Sequence, residues 1–178
     1  VDAFSPTPGS SEAWKNGFEA GGQQAYTEYR GAAQIREGLA ERLGAFTGKD
    51  ISADKELIIT PGTQGALFLA LGATVTTGTK VAVVEPDYFA NRKLVKFFGG
   101  EIIPIPLHYQ GVPSENDPDL DRIEDAFKSG TEVFVFSTPN NPTGLVYSKN
   151  AIITISTLAA THNVTLIVDQ LYSRMLYS

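Results

Sequence analysis

The residues best suited to chemistry in this sequence directly follow short apolar runs. Residues 60–66, Thr-Pro-Gly-Thr-Gln-Gly-Ala, end one such run and open a helical pattern. Amide groups at a helix N-terminus attract anions, and a glycine lets the backbone approach a ligand closely. We therefore interpret Gly62, Thr63 and Gln64 as a candidate anion-binding turn. A plain strand-to-helix turn with Thr63 as the helix cap is the alternative.

Two further segments offer an aromatic ring and a rigidly held amide. Tyr88 follows an apolar run within residues 85–89, Glu-Pro-Asp-Tyr-Phe, where its ring could stack on a flat heterocycle or pack against the protein. In residues 139–144, Pro-Asn-Asn-Pro-Thr-Gly, prolines bracket the asparagines and fix a rigid turn. An asparagine amide aimed by such a turn could donate to a phenolate oxygen. A structural turn in which the asparagine caps itself is the alternative.

The last apolar run, residues 165–169, ends in Asp169. A carboxylate at the end of a buried strand needs a strong partner, because burying an unpaired charge is costly. A protonated ring nitrogen would be such a partner, and the nearby Tyr172 could reach the other side of the same ring. An aspartate that caps a following helix is the alternative.

The composition argues against several other classes of function. Acidic residues outnumber basic ones 20 to 14, and no basic cluster favours a nucleic-acid partner. Cysteine is absent, which excludes disulfides, thiolate metal sites and cysteine nucleophiles. Asp117, Asp119 and Asp121 lack the glycine of a calcium loop and indicate a helix start, so we expect no metal site. No run approaches the ~20 apolar residues of a membrane-spanning helix, and we expect a soluble, cytoplasmic protein without a membrane partner.

The apolar patterning indicates how these residues are arranged. Strands are predicted at residues 57–60, 81–84, 101–105, 133–137 and 165–169. Helices are predicted at residues 34–46, with Ile35, Leu39 and Leu43 aligned, at 64–71, 88–98 and 152–160, and after Asp119. This alternation is typical of an α/β fold with a mainly parallel, doubly wound sheet, which binds ligands at the carboxyl ends of its strands.

Taken together, these segments resemble the fold-type I family of pyridoxal-phosphate-dependent enzymes, specifically the class I and II aminotransferases. The resemblance implies that pyridoxal 5'-phosphate is the cofactor. It also implies that the turn of Gly62, Thr63 and Gln64 holds the cofactor phosphate and that Tyr88 stacks on the pyridine ring.

The same resemblance assigns roles to the remaining candidates. It implies that Asn141 and Tyr172 contact the phenolic oxygen of the cofactor. Asp169 would pair with the pyridine nitrogen, so Asp169 and Tyr172 are the expected catalytic residues. Tyr26 resembles the tyrosine that reaches the phosphate in a neighbouring subunit, and a homodimer is therefore expected.

The resemblance covers only the cofactor-binding part of the family's chain. Residues 1–50 are interpreted as an N-terminal segment with a linking helix, and residues 51–178 as part of the large cofactor-binding domain. In this family the lysine that binds the cofactor covalently lies beyond the strand carrying Asp169, whereas all eight lysines here precede Asp169. We expect a second fragment to carry that lysine, and this chain alone to be inactive.

The resulting hypothesis is an aminotransferase that acts on an amino acid and a 2-oxo acid. A lyase, decarboxylase or amino-acid oxidase that uses the same cofactor is one alternative, because such enzymes share the fold and a fold does not fix the reaction. A non-catalytic relative that binds a phosphate-bearing ligand is another.

This chain alone should form no borohydride-reducible adduct with pyridoxal phosphate at a single defined lysine, because none of its lysines matches the family position. Peptide mapping after reduction measures the labelling. One dominant labelled lysine among the eight would contradict the assignment.

Overall fold

The computed structural model describes residues 5–21, 26–108 and 117–176. The chain divides into two compact units, Val1–Thr60 and Pro61–Ser178. The first unit holds helices α1 (Ser10–Glu19) and α2 (Ala33–Thr47). The domain boundary predicted after residue 50 stays a prediction.

The second unit alternates helices with strands. Its elements are α3 (Gly62–Thr74), β1 (Lys80–Glu85), α4 (Phe89–Phe97), β2 (Glu101–Pro106), α5 (Leu120–Lys128), β3 (Val133–Ser137), α6 (Lys149–His162) and β4 (Thr165–Asp169). The strands form one sheet in the order β2-β1-β3-β4, and every neighbouring pair is parallel. The predicted α/β fold with a parallel sheet is confirmed.

Helices cover both faces of this sheet, which explains why its strands are apolar without alternation. Val81 and Val83 of β1 belong to a buried cluster that includes residues of α3 and α4. Ala82 and Val84, on the opposite face, belong to a second cluster that includes residues of α5 and α6. The sheet is therefore wound on both sides, and the two central strands, β1 and β3, are the buried ones.

One predicted strand is wrong. Residues 57–60 form no strand. The Ile59 N–H donates to the Arg30 carbonyl oxygen at 2.8 Å, within the first unit. An apolar run predicts burial, but a strand also needs a neighbouring strand to pair with, and this segment has none among the described residues.

The first unit departs most from the expectations. Helix α1 was not predicted, and it carries no buried residue, so no core-facing apolar pattern marks it. In α2 the aligned side chains Ile35 and Leu39 are exposed, whereas Arg36 and Ala40 are buried. Within the described ranges, no helix is long and apolar enough to cross a membrane.

Arg36 connects two segments that flank α2. Its guanidinium donates to the carbonyl oxygens of Gly31 at 3.0 Å and Ala53 at 2.6 Å, and it pairs with Glu28 at 2.6 Å and Asp54 at 2.8 Å. Five N–H donors in a planar fork make this arrangement specific to arginine. The hydrogen bond and charge of Arg36 hold the pKa of the Asp54 carboxyl below its ordinary value.

Arg36→Lys should therefore lower the melting temperature at neutral pH more than Arg42→Lys, a matched change at an exposed position of α2. A single ammonium cannot reach four acceptors on two segments at once. Thermal unfolding followed by circular dichroism measures both variants.

The effect should also depend on pH. Because the pKa of Asp54 is lower in the folded state, its ion pair stabilises the protein above the unfolded pKa of ~3.9 and is lost as the pH falls through the folded pKa. The difference in melting temperature between Arg36→Lys and Arg42→Lys should therefore become smaller as the pH falls. Equal melting temperatures at pH 7 would contradict the role given to Arg36.

Candidate active site

The candidate anion-binding turn opens helix α3. Gly62 is the first helical residue and has a φ of 71°, a left-handed conformation that favours glycine. Pro61 occupies the N-cap position and forms no side-chain capping hydrogen bond. The alternative in which Thr63 caps the helix is therefore wrong. The amides of this first turn and the positive end of α3 are the features that favour an anion here.

The other candidates of the second unit lie near the carboxyl edge of the sheet. Strands β1, β3 and β4 end at Glu85, Ser137 and Asp169, and Ser137 lies opposite Asp169 in the register. The Thr138 N–H also donates to the Asp169 carbonyl oxygen at 3.0 Å. Because all strands are parallel, the segments that follow them leave from the same edge.

Tyr88 is the N-cap residue of α4 and is half-buried. Its ring packs against the buried cluster shared by α3 and α4, and the centroid of the Phe89 ring lies 4.8 Å away. Packing therefore holds the Tyr88 ring while leaving part of its surface accessible. Both roles considered for this ring, packing and stacking on a ligand, are compatible with that arrangement.

The two asparagines of the proline-bracketed turn have different surroundings. Asn140 is only 2% exposed. Its Oδ1 accepts hydrogen bonds from the Thr143 amide and hydroxyl at 3.2 and 2.6 Å, and its Nδ2 donates to the Pro86 carbonyl oxygen at 3.2 Å. Asn141 is half-buried, and its backbone N–H donates to the Ser137 hydroxyl at 3.2 Å. The structural turn considered as an alternative therefore describes Asn140.

Asn141 and Tyr172 line the same open cavity, which has a volume of about 650 Å³. Apolar side chains form much of the remaining wall: Pro139, Pro142, Val146, Met175 and Leu176. The structure thus brings together two side chains that are far apart in sequence. None of the eight lysines, all of which lie in the described ranges, lines this cavity.

Asp169 is half-buried at the end of β4. Its Oδ1 accepts a hydrogen bond from the Leu171 N–H at 3.0 Å. Residues 170–176 form turns and no helix, so the alternative of a helix-capping aspartate is wrong. Within the described residues Oδ2 accepts no hydrogen bond, which leaves one carboxylate oxygen able to pair with a cationic group.

Asp87 is a site residue that sequence reasoning missed. Its carboxylate accepts hydrogen bonds from the Ser137 amide at 2.9 Å, the Ser137 hydroxyl at 2.5 Å and the Tyr88 amide at 2.5 Å. Burial raises the pKa of Asp87 above its ordinary value, these hydrogen bonds lower it, and the charge of Asp169 adds a smaller rise. The signal that marked Asp169, a carboxylate just after an apolar strand, also marks Asp87.

Tyr26 belongs to the first unit, where its side chain is 90% exposed. None of the other candidate residues lies in that unit. Its expected contact with a neighbouring subunit's phosphate site stays a prediction.

Comparison of the sequence and the structure with known proteins identifies the family to which the chain belongs. Residues 10–178 match the family model described as aminotransferase class I and II. The structure is similar to an aspartate aminotransferase from Rhodobacter sphaeroides 2.4.1, with a TM-score of 0.96 and 56% identity over 100% of this chain and 45% of that one.

Curated relatives give the same result. Aspartate/prephenate aminotransferase from Thermus thermophilus is 32% identical over 89% of this chain and 40% of the relative. Kynurenine–oxoglutarate transaminase 1 from Homo sapiens is 31% identical over 85% of this chain and 38% of the relative. The chain thus spans less than half the length of these proteins.

Asn140→Ala should destabilise the cofactor-free protein by about 2–3 kcal/mol, because Asn140 is buried and the change removes its hydrogen bonds to Thr143, Pro86 and Ser137. Asn141→Ala, the matched change at the next residue, should cost less than about 1 kcal/mol, because that side chain is only half-buried. Urea denaturation measures both. Equal losses would contradict the division between a structural Asn140 and an available Asn141.

Proposed function

Because this chain belongs to the aminotransferase class I and II family, we propose that it forms the cofactor-binding half of an enzyme that transfers an amino group from an amino acid to a 2-oxo acid. Enzymes of this family depend on pyridoxal 5'-phosphate. The observation that carries the proposal is the meeting of Asn141 and Tyr172 at one cavity, on the sheet edge where Asp169 ends β4.

The polar groups of the second unit fit each polar part of the cofactor. The first turn of α3, at Gly62, Thr63 and Gln64, would hold the phosphate through backbone amides. The Asn141 amide and the Tyr172 hydroxyl would donate to the phenolic oxygen. The accessible surface of Tyr88 would support the flat ring by stacking. When bound, the cofactor supplies a ring that accepts electrons from the substrate's α-carbon.

Asp169 would hold the proton on the pyridine nitrogen. A carboxylate within hydrogen-bond distance of a basic nitrogen raises the pKa of that nitrogen, typically by ~1–3 units. The Oδ2 of Asp169, which accepts no hydrogen bond within the described residues, is the acceptor proposed for this contact. The negative charge of Asp87 nearby would add to the attraction for a cation at this edge.

The lysine that binds the cofactor covalently would come from a segment outside these residues. This proposal rests on the resemblance to the family, in which that lysine lies beyond the strand that ends here at Asp169, whereas all eight lysines of this chain precede Asp169. That a separate second fragment carries the lysine stays a prediction, as does the inactivity of this chain alone.

We further propose a homodimer. The first unit exposes large apolar side chains that an oligomer would cover, among them Trp14 at 73% and Ile35 at 57%. A neighbouring subunit's phosphate site is the proposed contact of Tyr26. The cytoplasmic location stays a prediction.

In the complete enzyme, Asp169→Asn should slow turnover by at least ~100-fold while weakening cofactor binding much less. The amide keeps the shape of the side chain but removes the charge that stabilises the protonated nitrogen. Asp125→Asn, the same change at an exposed position of α5, is the control. Turnover, cofactor affinity and melting temperature are measured side by side, and near-normal turnover of Asp169→Asn would rule out the pairing role.

A further inference from the structure

The contact between Asp87 and Ser137 lies where the connections of the sheet diverge. Strands β1 and β3 are neighbours, with Val83 opposite Val135. The chain leaves β1 through α4 toward β2 at one side of the sheet, and it leaves β3 through α6 toward β4 at the other. The carboxyl ends of two such strands border a crevice, which is the usual ligand position in open α/β sheets. The bond from Asp87 to Ser137 crosses this crevice.

The hydrogen bonds of Ser137 have a fixed direction. Its hydroxyl lies 2.5 Å from the Asp87 carboxylate, which as an anion can only accept, so the single hydroxyl proton is donated to Asp87. The two lone pairs of the oxygen then accept from Asn140 Nδ2 at 3.3 Å and from the Asn141 N–H at 3.2 Å. A charged Asp87 therefore determines how Ser137 holds the asparagine turn.

Asp87 also holds the aromatic side of the crevice. The same Oδ1 that accepts from the Ser137 hydroxyl accepts from the Tyr88 N–H. Ser137 is only 2% exposed, so water does not compete freely for its hydrogen bonds. One carboxylate thus connects the residue that would stack on the cofactor ring with the turn that presents Asn141.

We propose that Asp87 is a positioning residue. It acts through Ser137 to fix the positions of Tyr88 and Asn141 relative to each other, and these two residues in turn fix the position of the cofactor ring. The inference rests on the proposed function. Asp87 does not touch the cofactor in this scheme. Its effect is on the affinity for the ring and on the asymmetry of the ring's surroundings.

The test uses the complete protein and pyridoxal phosphate, with the variants Asp87→Asn, Ser137→Ala and Ser137→Thr. Asp87→Asn keeps the shape but replaces one acceptor by a donor, and Ser137→Ala removes the hydroxyl, whereas Ser137→Thr retains it. The dissociation constant, the visible circular dichroism per bound cofactor and the melting temperature of the cofactor-free protein are measured for each. The dichroism reports the placement of the ring, which loss of stability alone does not change.

Asp87→Asn and Ser137→Ala should each weaken cofactor binding by about 10-fold and reduce the dichroism, since each removes a hydrogen bond involving a charged group. Their combination should weaken binding by little more than either alone, because both break one chain of contacts. Ser137→Thr should keep the wild-type values. If Asp87→Asn does not fold, the comparison of Ser137→Ala with Ser137→Thr tests the inference by the same measurements of affinity and dichroism.

Wild-type affinity and dichroism in Ser137→Ala and in any folded Asp87→Asn, with only a lower melting temperature, would overturn the inference and leave the proposed function standing. Failure of the unaltered protein to bind pyridoxal phosphate would overturn the proposed function and this inference with it.

Discussion

The parallel direction of all four strands is the constraint on which the site depends. Each helical crossover returns the chain to the same end of the sheet, so every strand delivers its carboxyl end to one edge. Asp87, Ser137 and Asp169 follow or end three different strands and meet there for this reason. Because both faces of the sheet are buried under helices, this edge is where polar side chains of the strand ends can gather without opening the core.

Charges of opposite sign lie at different places in the second unit. The N-terminus of α3 carries the partial positive charge of a helix end, without a capping side chain at Pro61. Asp87 and Asp169 place negative charge at the ends of β1 and β4, close enough that the charge of Asp169 raises the pKa of Asp87. A ligand with a phosphate at one end and a protonated ring nitrogen at the other matches this division. The net charge of −6 is a sum over the whole chain, so it does not show where a charged ligand would bind.

The asparagine turn shows how buried polar groups are used here. Asn140 and Ser137 are buried, where an unpaired polar group would cost about 1–3 kcal/mol, and they bond to each other. The half-buried Thr143 hydroxyl donates to Asn140 as well. That saturated network makes the turn rigid. Asn141, on the same turn, has its backbone held and its side chain at the wall of the cavity. The hydrogen bonds of Asn140 hold the turn from which Asn141 lines the cavity.

The sequence by itself determined the α/β class, the parallel sheet and the strand-end segments, because apolar patterning and turn residues act over a few neighbouring positions. It could not separate Asn140 from Asn141 on physical grounds, nor reject residues 57–60 as a strand, because burial and strand pairing depend on partners elsewhere in the chain. The role of Asp87 was decided only by the tertiary structure. Its partner Ser137 is 50 residues away, and the two meet because the sheet places β1 beside β3. Sheet order is set by long-range packing, which local spacing does not encode.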